Sequence, residues 1–304
     1  MTGVTVAIPT YNRGEILVAT IERLLQMTPP AAEIVIVDQT PSYPAPIQEK
    51  LEAWSGANDI RWIRLPEPSI PRAMNEALRA AANGIVLFVD DDVIPSPTLA
   101  QEHERAYGTD IWAVVGQVLQ PGETVEHFDE APLHRGALRD LEYRFNHDQA
   151  GDVENVIACN LSVDRDKALS IGGFDENFIA AAYRFESDFA RRVVDAGGRI
   201  RFEPRASIEH LRIPTGGVRA HGDPRRTMAP THSAGDYYFA LRHIRSFAPY
   251  AMRRFRQNVL TRYTAAHPYL IPMKAIAEIR GYLLARRLAR GKKQQAGSVG
   301  NDRR

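Results

Sequence analysis

Ile85-Val86-Leu87-Phe88-Val89-Asp90-Asp91-Asp92-Val93 joins an unbroken apolar run directly to three consecutive carboxylates. The apolar half, rich in β-branched residues and entered through Asn83-Gly84, reads as a strand buried on both faces of a sheet. Adjacent Asp residues repel one another and favour turns, so their place at the end of a core strand costs stability unless a cation or several donors offset the charge. Carboxylate oxygens are the hard ligands that Mg2+ and Mn2+ prefer, and such ions commonly bridge a protein to nucleotide phosphates. A solvated acidic turn is the competing reading of the triplet alone. Open α/β sheets, however, bind ligands at the carboxyl ends of their strands, and that position favours a site.

Outward from this strand the chain alternates strand and helix signals, the pattern of an α/β layer architecture with a mainly parallel central sheet. Val4 to Ile8 reads as a first strand ended by Pro9, followed by a helix that opens at Arg13-Gly14-Glu15 and stops before Pro29-Pro30. Ile34 to Val37 reads as a second buried strand closed by Asp38, then come a helix around Pro46 to Trp54, a strand Ile60 to Leu65 and a helix Ile70 to Ala82. In a parallel sheet the polar ends Thr10-Tyr11-Asn12-Arg13, Asp38-Gln39-Thr40 and Asp90-Asp91-Asp92 fall on one edge and line one crevice, as a nucleotide site requires.

Later the periodicity weakens, and residues 121–152 read as an irregular connection. Val156 to Val163 reads as a strand, Asp164 to Ser170 as a helix capped at Gly172-Gly173, and Glu186 to Ala196 as a helix ended by Gly197-Gly198. Ile200 to Phe202 and Ala206 to His210 follow as two short strands, Arg212 to Gly235 as a flexible Gly-, Pro-, His- and Arg-rich loop. Helices are expected over Asp236 to Phe247 and Pro268 to Arg290, with disorder from Gln294 to Arg304.

The composition sets bounds. With 38 basic and 37 acidic residues among 304, no global field points to nucleic acid as a partner, and any charge argument has to be local. One cysteine, Cys159, excludes an intramolecular disulfide and a cysteine-based zinc site, in keeping with a reducing compartment. The chain shows neither a signal-like leader nor an apolar stretch long enough to span a bilayer, so a cytoplasmic location is expected, with membrane-surface association left open.

Four motifs in order, Val6-Ala7-Ile8-Pro9-Thr10-Tyr11-Asn12-Arg13, Val35-Ile36-Val37-Asp38, Asp90-Asp91-Asp92 and Gly172-Gly173-Phe174-Asp175-Glu176, resemble the family 2 glycosyltransferases and their GT-A nucleotide-sugar fold. The resemblance covers about the first two thirds of the chain. It implies a nucleotide-sugar-binding half at 1–120, an acceptor-binding and catalytic half of the same domain at 121–235, and, beyond its reach, a C-terminal helical extension at 236–304. By resemblance the protein is a hexosyltransferase-type enzyme of cell-envelope or polysaccharide biosynthesis, inverting the anomeric centre, with a nucleotide-sugar donor and a glycan, lipid-linked or small-molecule acceptor.

The site residues follow from the same resemblance. Pro9, Thr10, Tyr11 and Arg13 would surround base and ribose, Asp38 would bond the base, and Arg72 and Asn75 would lie beside the diphosphate. Capping of a helix is the alternative for Thr10 and Asn12. Asp90 or Asp91 would meet the ribose; Asp92, with Asp91 and His210, would hold a divalent cation, Mg2+ or Mn2+. Asp175 falls on the acceptor side. The run Arg184-Phe185-Glu186-Ser187-Asp188-Phe189 departs from the commoner acid-Asp pair and puts Glu186 at the position of the base, with Asp188 second. Both acids also suit the positive end of a helix. Arg219, His221, Arg225 and Arg226 stand in the loop as candidate lid residues, and the C-terminal helix interleaves Ile276, Ile279, Leu283, Leu284 and Leu288 with Arg280, Arg286, Arg287 and Arg290 ahead of Lys292-Lys293, fit for peripheral contact with an anionic membrane, the protein's own core or a second copy. A sugar nucleotidyltransferase is disfavoured by the lack of a Gly-rich phosphate loop near the N-terminus; a non-catalytic nucleotide-sugar or glycan-binding protein has only the shift from Asp to Glu186 in its favour.

Overall fold

Three strand-helix repeats and a fourth strand open the fold: β1 (Val4–Thr10), α1 (Glu15–Leu25), β2 (Glu33–Asp38), α2 (Ala45–Ala57), β3 (Arg61–Arg64), α3 (Ile70–Ala80) and β4 (Ile85–Val89). The computed structural model describes residues 3–130, 141–217, 228–230 and 232–299. The strands lie parallel in the order β3-β2-β1-β4, because each crossover helix returns the chain to the same end of the sheet. Their interior is the apolar run expected of a strand covered on both faces: Val6, Ile8, Val35, Ile36, Val86 and Leu87 are wholly buried. β1 continues through Pro9 to Thr10. Pairing with β4 ends at Ala7, so the missing N–H of Pro9 interrupts no ladder bond on that side.

Then come β5 (Val93–Pro95), α4 (Leu99–Arg105), β6 (Ile111–Leu119), β7 (Gly151–Val153), β8 (Asn160–Asp164), α5 (Arg165–Ser170), α6 (Phe185–Asp195) and β9 (Arg199–His210). β8 runs antiparallel between β4 and β6, and the full sheet reads β3-β2-β1-β4-β8-β6-β9-β5 with β7 on β9. The strand expected from Val156 thus begins at Asn160. Asp164 caps α5 by accepting from the Lys167 N–H, and Gly172 and Gly173 end that segment with φ of 87° and 63°.

The two short strands expected at 200–210 are one bent strand. Its ladder with β6 shifts register between Gly116 and Gln117, opposite Glu203 and Ser207. Asn160 holds the bend by donating from Nδ2 to the carbonyls of Gln117 (2.9 Å) and Ala206 (2.8 Å). A Cβ at position 116 would collide with both Ala206 O and Asn160, so glycine is needed for the close approach. Behind Asn160, buried His103 bonds Asn160 Oδ1 through Nε2 (2.8 Å) and Ser162 Oγ through Nδ1 (2.9 Å), and burial pushes its imidazole down to about 4.

The chain divides into two compact units, Met1–Phe174 with Phe189–Gly217, and Asp175–Asp188 with Val218–Arg304. In the second, α7 (Ser233–His243), α8 (Phe247–Val259), α9 (Arg262–Ala266) and α10 (Leu270–Val299) form a helical assembly. α8 and α9 fall where no helix is expected from the sequence, since Pro249 occupies a first-turn position that a helix tolerates. Helix α10 continues to Val299, through part of the tail expected to be disordered; 300–304 lie outside the described residues. It packs on α7 through small residues, Ala277, Gly281 and Ala285, and a Cβ at Gly281 would strike Ser233. A buried ion network locks the helices: Arg254 meets Asp236 (2.5 Å) and Glu278 (2.9 Å), and Asp236 also receives Arg184 (3.1 Å) and the Tyr250 hydroxyl (2.9 Å). Among the described residues no helix is long and apolar enough to cross a membrane.

Candidate active site

The carboxyl ends of β1, β2 and β4 do share one edge of the sheet, and β9 brings a fourth side chain there. Val93 of β5 pairs with His210 of β9, which sets the imidazole beside the residue before Val93, Asp92. His210 Nε2 lies 3.1 Å from Asp92 Oδ1 and 3.4 Å from Asp90 Oδ2. Its Nδ1 lies 3.1 Å from Gln120 Oε1, an acceptor, so the ring donates there and turns Nε2 towards the two carboxylates. Nε2 then needs a positive centre, a proton or a metal ion, between itself and the acids. The ligand atoms of Asp90, Asp92 and His210 all lie within 4.8 Å of one another. Two hard oxygens and one softer imidazole nitrogen suit Mn2+ better than Mg2+.

The three acids have unlike environments. Asp90 is half-exposed at the rim. Asp91 is buried, which pushes its carboxyl up to about 7 against the opposing pull of Arg13 (Nε at 3.1 Å) and the Thr10 hydroxyl (2.7 Å). Asp92 is wholly buried too. Burial works to raise its carboxyl, yet the His210 contact, the Ile213 N–H (2.8 Å) and the positive charge of Arg13 outweigh it and hold the group below the ordinary carboxylate range. Asp91 therefore faces inwards, onto Arg13 and Thr10, while Asp90 and Asp92 face His210. Of the acids expected to hold a metal, Asp92 gathers with Asp90 and His210 rather than with Asp91, and those three are the group that could hold an ion.

Loop residues after β1 meet the acids and the segment 211–217. Arg13 joins Asp91 and Asp92 and donates from Nη1 to the carbonyls of Ile213 (3.3 Å) and Thr215 (2.6 Å). The Gly217 N–H donates to Tyr11 O (2.9 Å), and a side chain at Gly216 would collide with Asn12 O. The loop thus closes on itself around Asp92. Thr10 and Asn12 do not cap α1: its N-cap is Gly14, and Thr10 instead serves Asp91. The expected lid residues Arg219, His221, Arg225 and Arg226 lie outside the described residues.

Other expected nucleotide residues divide. Asp38, fully buried, accepts from Thr40 N (2.8 Å), Tyr43 Oη (3.1 Å) and Trp62 Nε1 (3.0 Å), an arrangement that shapes the turn and sets two rings beside it. Burial, first, and the Asp38 charge push the Tyr43 phenol well up. Pro9 lies in β1 ahead of this edge. Arg72 is exposed and pairs with Glu67 at 3.3 Å. Asn75 spends both ends of its amide on the Phe174 backbone, 2.9 Å to its carbonyl and 2.8 Å from its N–H, an anchor for the Gly172-Gly173 turn.

In the second unit, Glu186 and Asp188 stand in the first turn of α6. Asp188 is buried, with His243 Nε2 at 2.8 Å and Arg242 Nη1 at 3.2 Å, whereas Glu186 is half-buried. Asp175 accepts from Arg242 and from the Tyr238 hydroxyl (3.0 Å), so it braces α7. Gln120, Ile213 and the pair Tyr43 and Trp62 carry no motif; they are recognisable only once β6, β9 and β3 are placed.

Comparison with solved structures finds the same fold at low identity. GalNAc-T7 with UDP, GalNAc and Mn2+ matches with a TM-score of 0.64 at 13% identity, over 84% of this chain and 51% of that one, so the chain spans about half the length of that relative. The mannosyltransferase PcManGT from Pyrobaculum calidifontis, in complex with GDP-Man and Mn2+, matches at 0.55 and 19% identity, over 96% and 79%. At these identities the likeness establishes a GT-A fold. No curated protein sequence matches the chain significantly. The model of glycosyl transferase family 2 matches residues 5–168, more than half the length. By that match, on the strand order and acid cluster described above, the chain belongs to glycosyl transferase family 2.

Proposed function

We propose that the protein is a metal-dependent glycosyltransferase that moves a sugar from a nucleoside diphosphate sugar to an acceptor hydroxyl with inversion. The observation that carries this reading is His210 Nε2 aimed at Asp90 and Asp92 with its other nitrogen tied to Gln120, a donor set that calls for a cation at a strand edge where nucleotides bind. The relatives of the same fold hold Mn2+ with UDP or GDP-Man.

Asp90, Asp92 and His210 would hold Mn2+, which as a Lewis acid offsets the charge that gathers on a departing diphosphate. Arg13 balances the two buried acids and fixes the loop that closes on them. Tyr11, Asp38, Tyr43 and Trp62 would frame the base. Glu186, half-buried in the first turn of α6, would accept the proton of the attacking hydroxyl, while Asp188, held by Arg242 and His243, keeps that turn in place.

A transfer and hydrolysis screen over UDP- and GDP-sugars, with and without Mn2+, tests the reading. Glu186→Gln is expected to keep donor binding within about twofold while transfer falls by about 10²–10⁴-fold. Full transfer by that variant would remove Glu186 from the mechanism, and metal-independent transfer by the native protein would remove the cation.

A further inference from the structure

The near-neutral net charge conceals a segregation. Residues 228–299 contain thirteen Lys or Arg and only two acids, Asp236 and Glu278. Both acids are buried, 3% and 5% exposed, and both are bound to Arg254. Among the described residues of this segment no acid therefore reaches the surface, while Arg253, Arg256, Arg280, Arg286, Arg287 and Arg290 are exposed.

The basic surface carries an apolar stripe. α10 turns Ala277, Gly281 and Ala285 inwards to α7, so Ile276, Ile279 and Leu283 lie on the opposite side, 43%, 57% and 49% exposed. Their spacing of three and four keeps them on one helix face. Met252 in α8 and Leu260, the residue that follows that helix, are each 58% exposed. Ile279 also lines an apolar pocket of about 290 Å³ with Tyr237, Phe247, Phe255 and Tyr282. Monomeric surfaces rarely gather apolar residues in this way without a partner.

We infer that the outer face of α8 and α10 docks on an anionic lipid bilayer. Ile276, Ile279 and Leu283 enter the acyl boundary, and the flanking arginines meet phosphate headgroups. A second copy of the chain is the poorer occupant, because a two-fold interface would set this positive surface against itself. Nucleic acid leaves the apolar stripe uncovered. The inference does not depend on the sugar-transfer reading, since it uses none of the residues assigned to the metal or the base.

Co-sedimentation of the full chain with phosphatidylcholine vesicles, with and without phosphatidylglycerol, tests it in the presence of EDTA, so that failure of the metal reading leaves the outcome unchanged. Binding is expected only to the anionic vesicles and is expected to weaken as salt rises. The double variant Ile279→Glu with Leu283→Glu, and separately Arg286→Glu with Arg287→Glu, should each lower the vesicle partition coefficient by about tenfold or more, at about 1 kcal/mol per basic residue. Far-UV circular dichroism of both variants confirms that the helices persist. No partition of the native chain to anionic vesicles overturns the inference. So does equal partition of the apolar-face variant, or a dimer in sedimentation equilibrium that the same variant disperses.

Discussion

A buried carboxylate keeps its charge only where donors or cations meet it, and Asp92 is met by His210, Ile213 N–H and Arg13. Removing it would leave Nε2 of His210 with Asp90 alone, so Asp92→Ala should weaken Mn2+-dependent UDP binding by about 100-fold or more, the upper range for losses around a metal site. Titration calorimetry with and without Mn2+ measures this; unchanged binding would take Asp92 out of the metal site. The triplet itself is plain in the sequence, because charge directly after an apolar run is a local signal. Which two of the three acids face the imidazole is not, since that depends on Arg13 and Thr10 drawing Asp91 inwards. His103 supplies a second test. Its folded value near 4 lies below the ordinary 6.5, so the unfolded chain binds the extra proton between those limits and stability falls as pH drops from 6.5 to 4. The contribution is about 3 kcal/mol over the whole window. In urea titrations across that range His103→Gln should show a flatter dependence than the native chain, and parallel curves would contradict the assignment.

Among the elements, β9 decides the site and is the one the residue pattern divides wrongly. Glu203, Pro204 and Arg205 interrupt the alternation, so two strands are expected, yet Asn160 bridges the interruption through two carbonyls and the strand continues to His210. That bridge is a contact across forty-six residues, and no local window contains it. β5, α4 and β6 are likewise not resolved by pattern, although Gly116 in β6 is the position on which the bend depends. By contrast β4, α1 and α5 stand within a residue or two of where periodicity and capping place them, because their burial follows local spacing. Gly116→Ala should therefore act twice. The added methyl meets Ala206 O and Asn160, costing about 2 kcal/mol or more in urea unfolding. Displacement of β9 should also move His210 and weaken Mn2+-dependent UDP binding at full folding. Loss of stability with unaltered metal dependence would show that the bend does not position the imidazole.

At the scale of the whole molecule, the sequence-level balance of charge and the single run of α/β signals both describe an average. The sheet with its acid cluster falls in one compact unit and the basic helices in another, each with its own buried core and its own polar lock, Asn160 with His103 in the first and Arg254 with Asp236 and Glu278 in the second. The latter lock could not be read from spacing, since Arg254 looks like any surface arginine of an amphipathic helix until α7, α8 and α10 converge on it. Two cores with separate locks should unfold separately. Differential scanning calorimetry is expected to resolve two transitions. The residues proposed to hold Mn2+ and UDP belong to the first unit, so on that reading ligand at about 100 times its Kd should raise one transition by about 2.7 kcal/mol of stabilisation. Arg254→Met leaves Glu278 buried without the Arg254 guanidinium and Asp236 with Arg184 and Tyr250, and should lower the other by about 3–5 kcal/mol, the penalty for breaking a buried pair. If the ligand and the substitution moved the same transition, or if one transition persisted under both, the two units would be a single cooperative body, and the basic helices would owe their stability to the sheet.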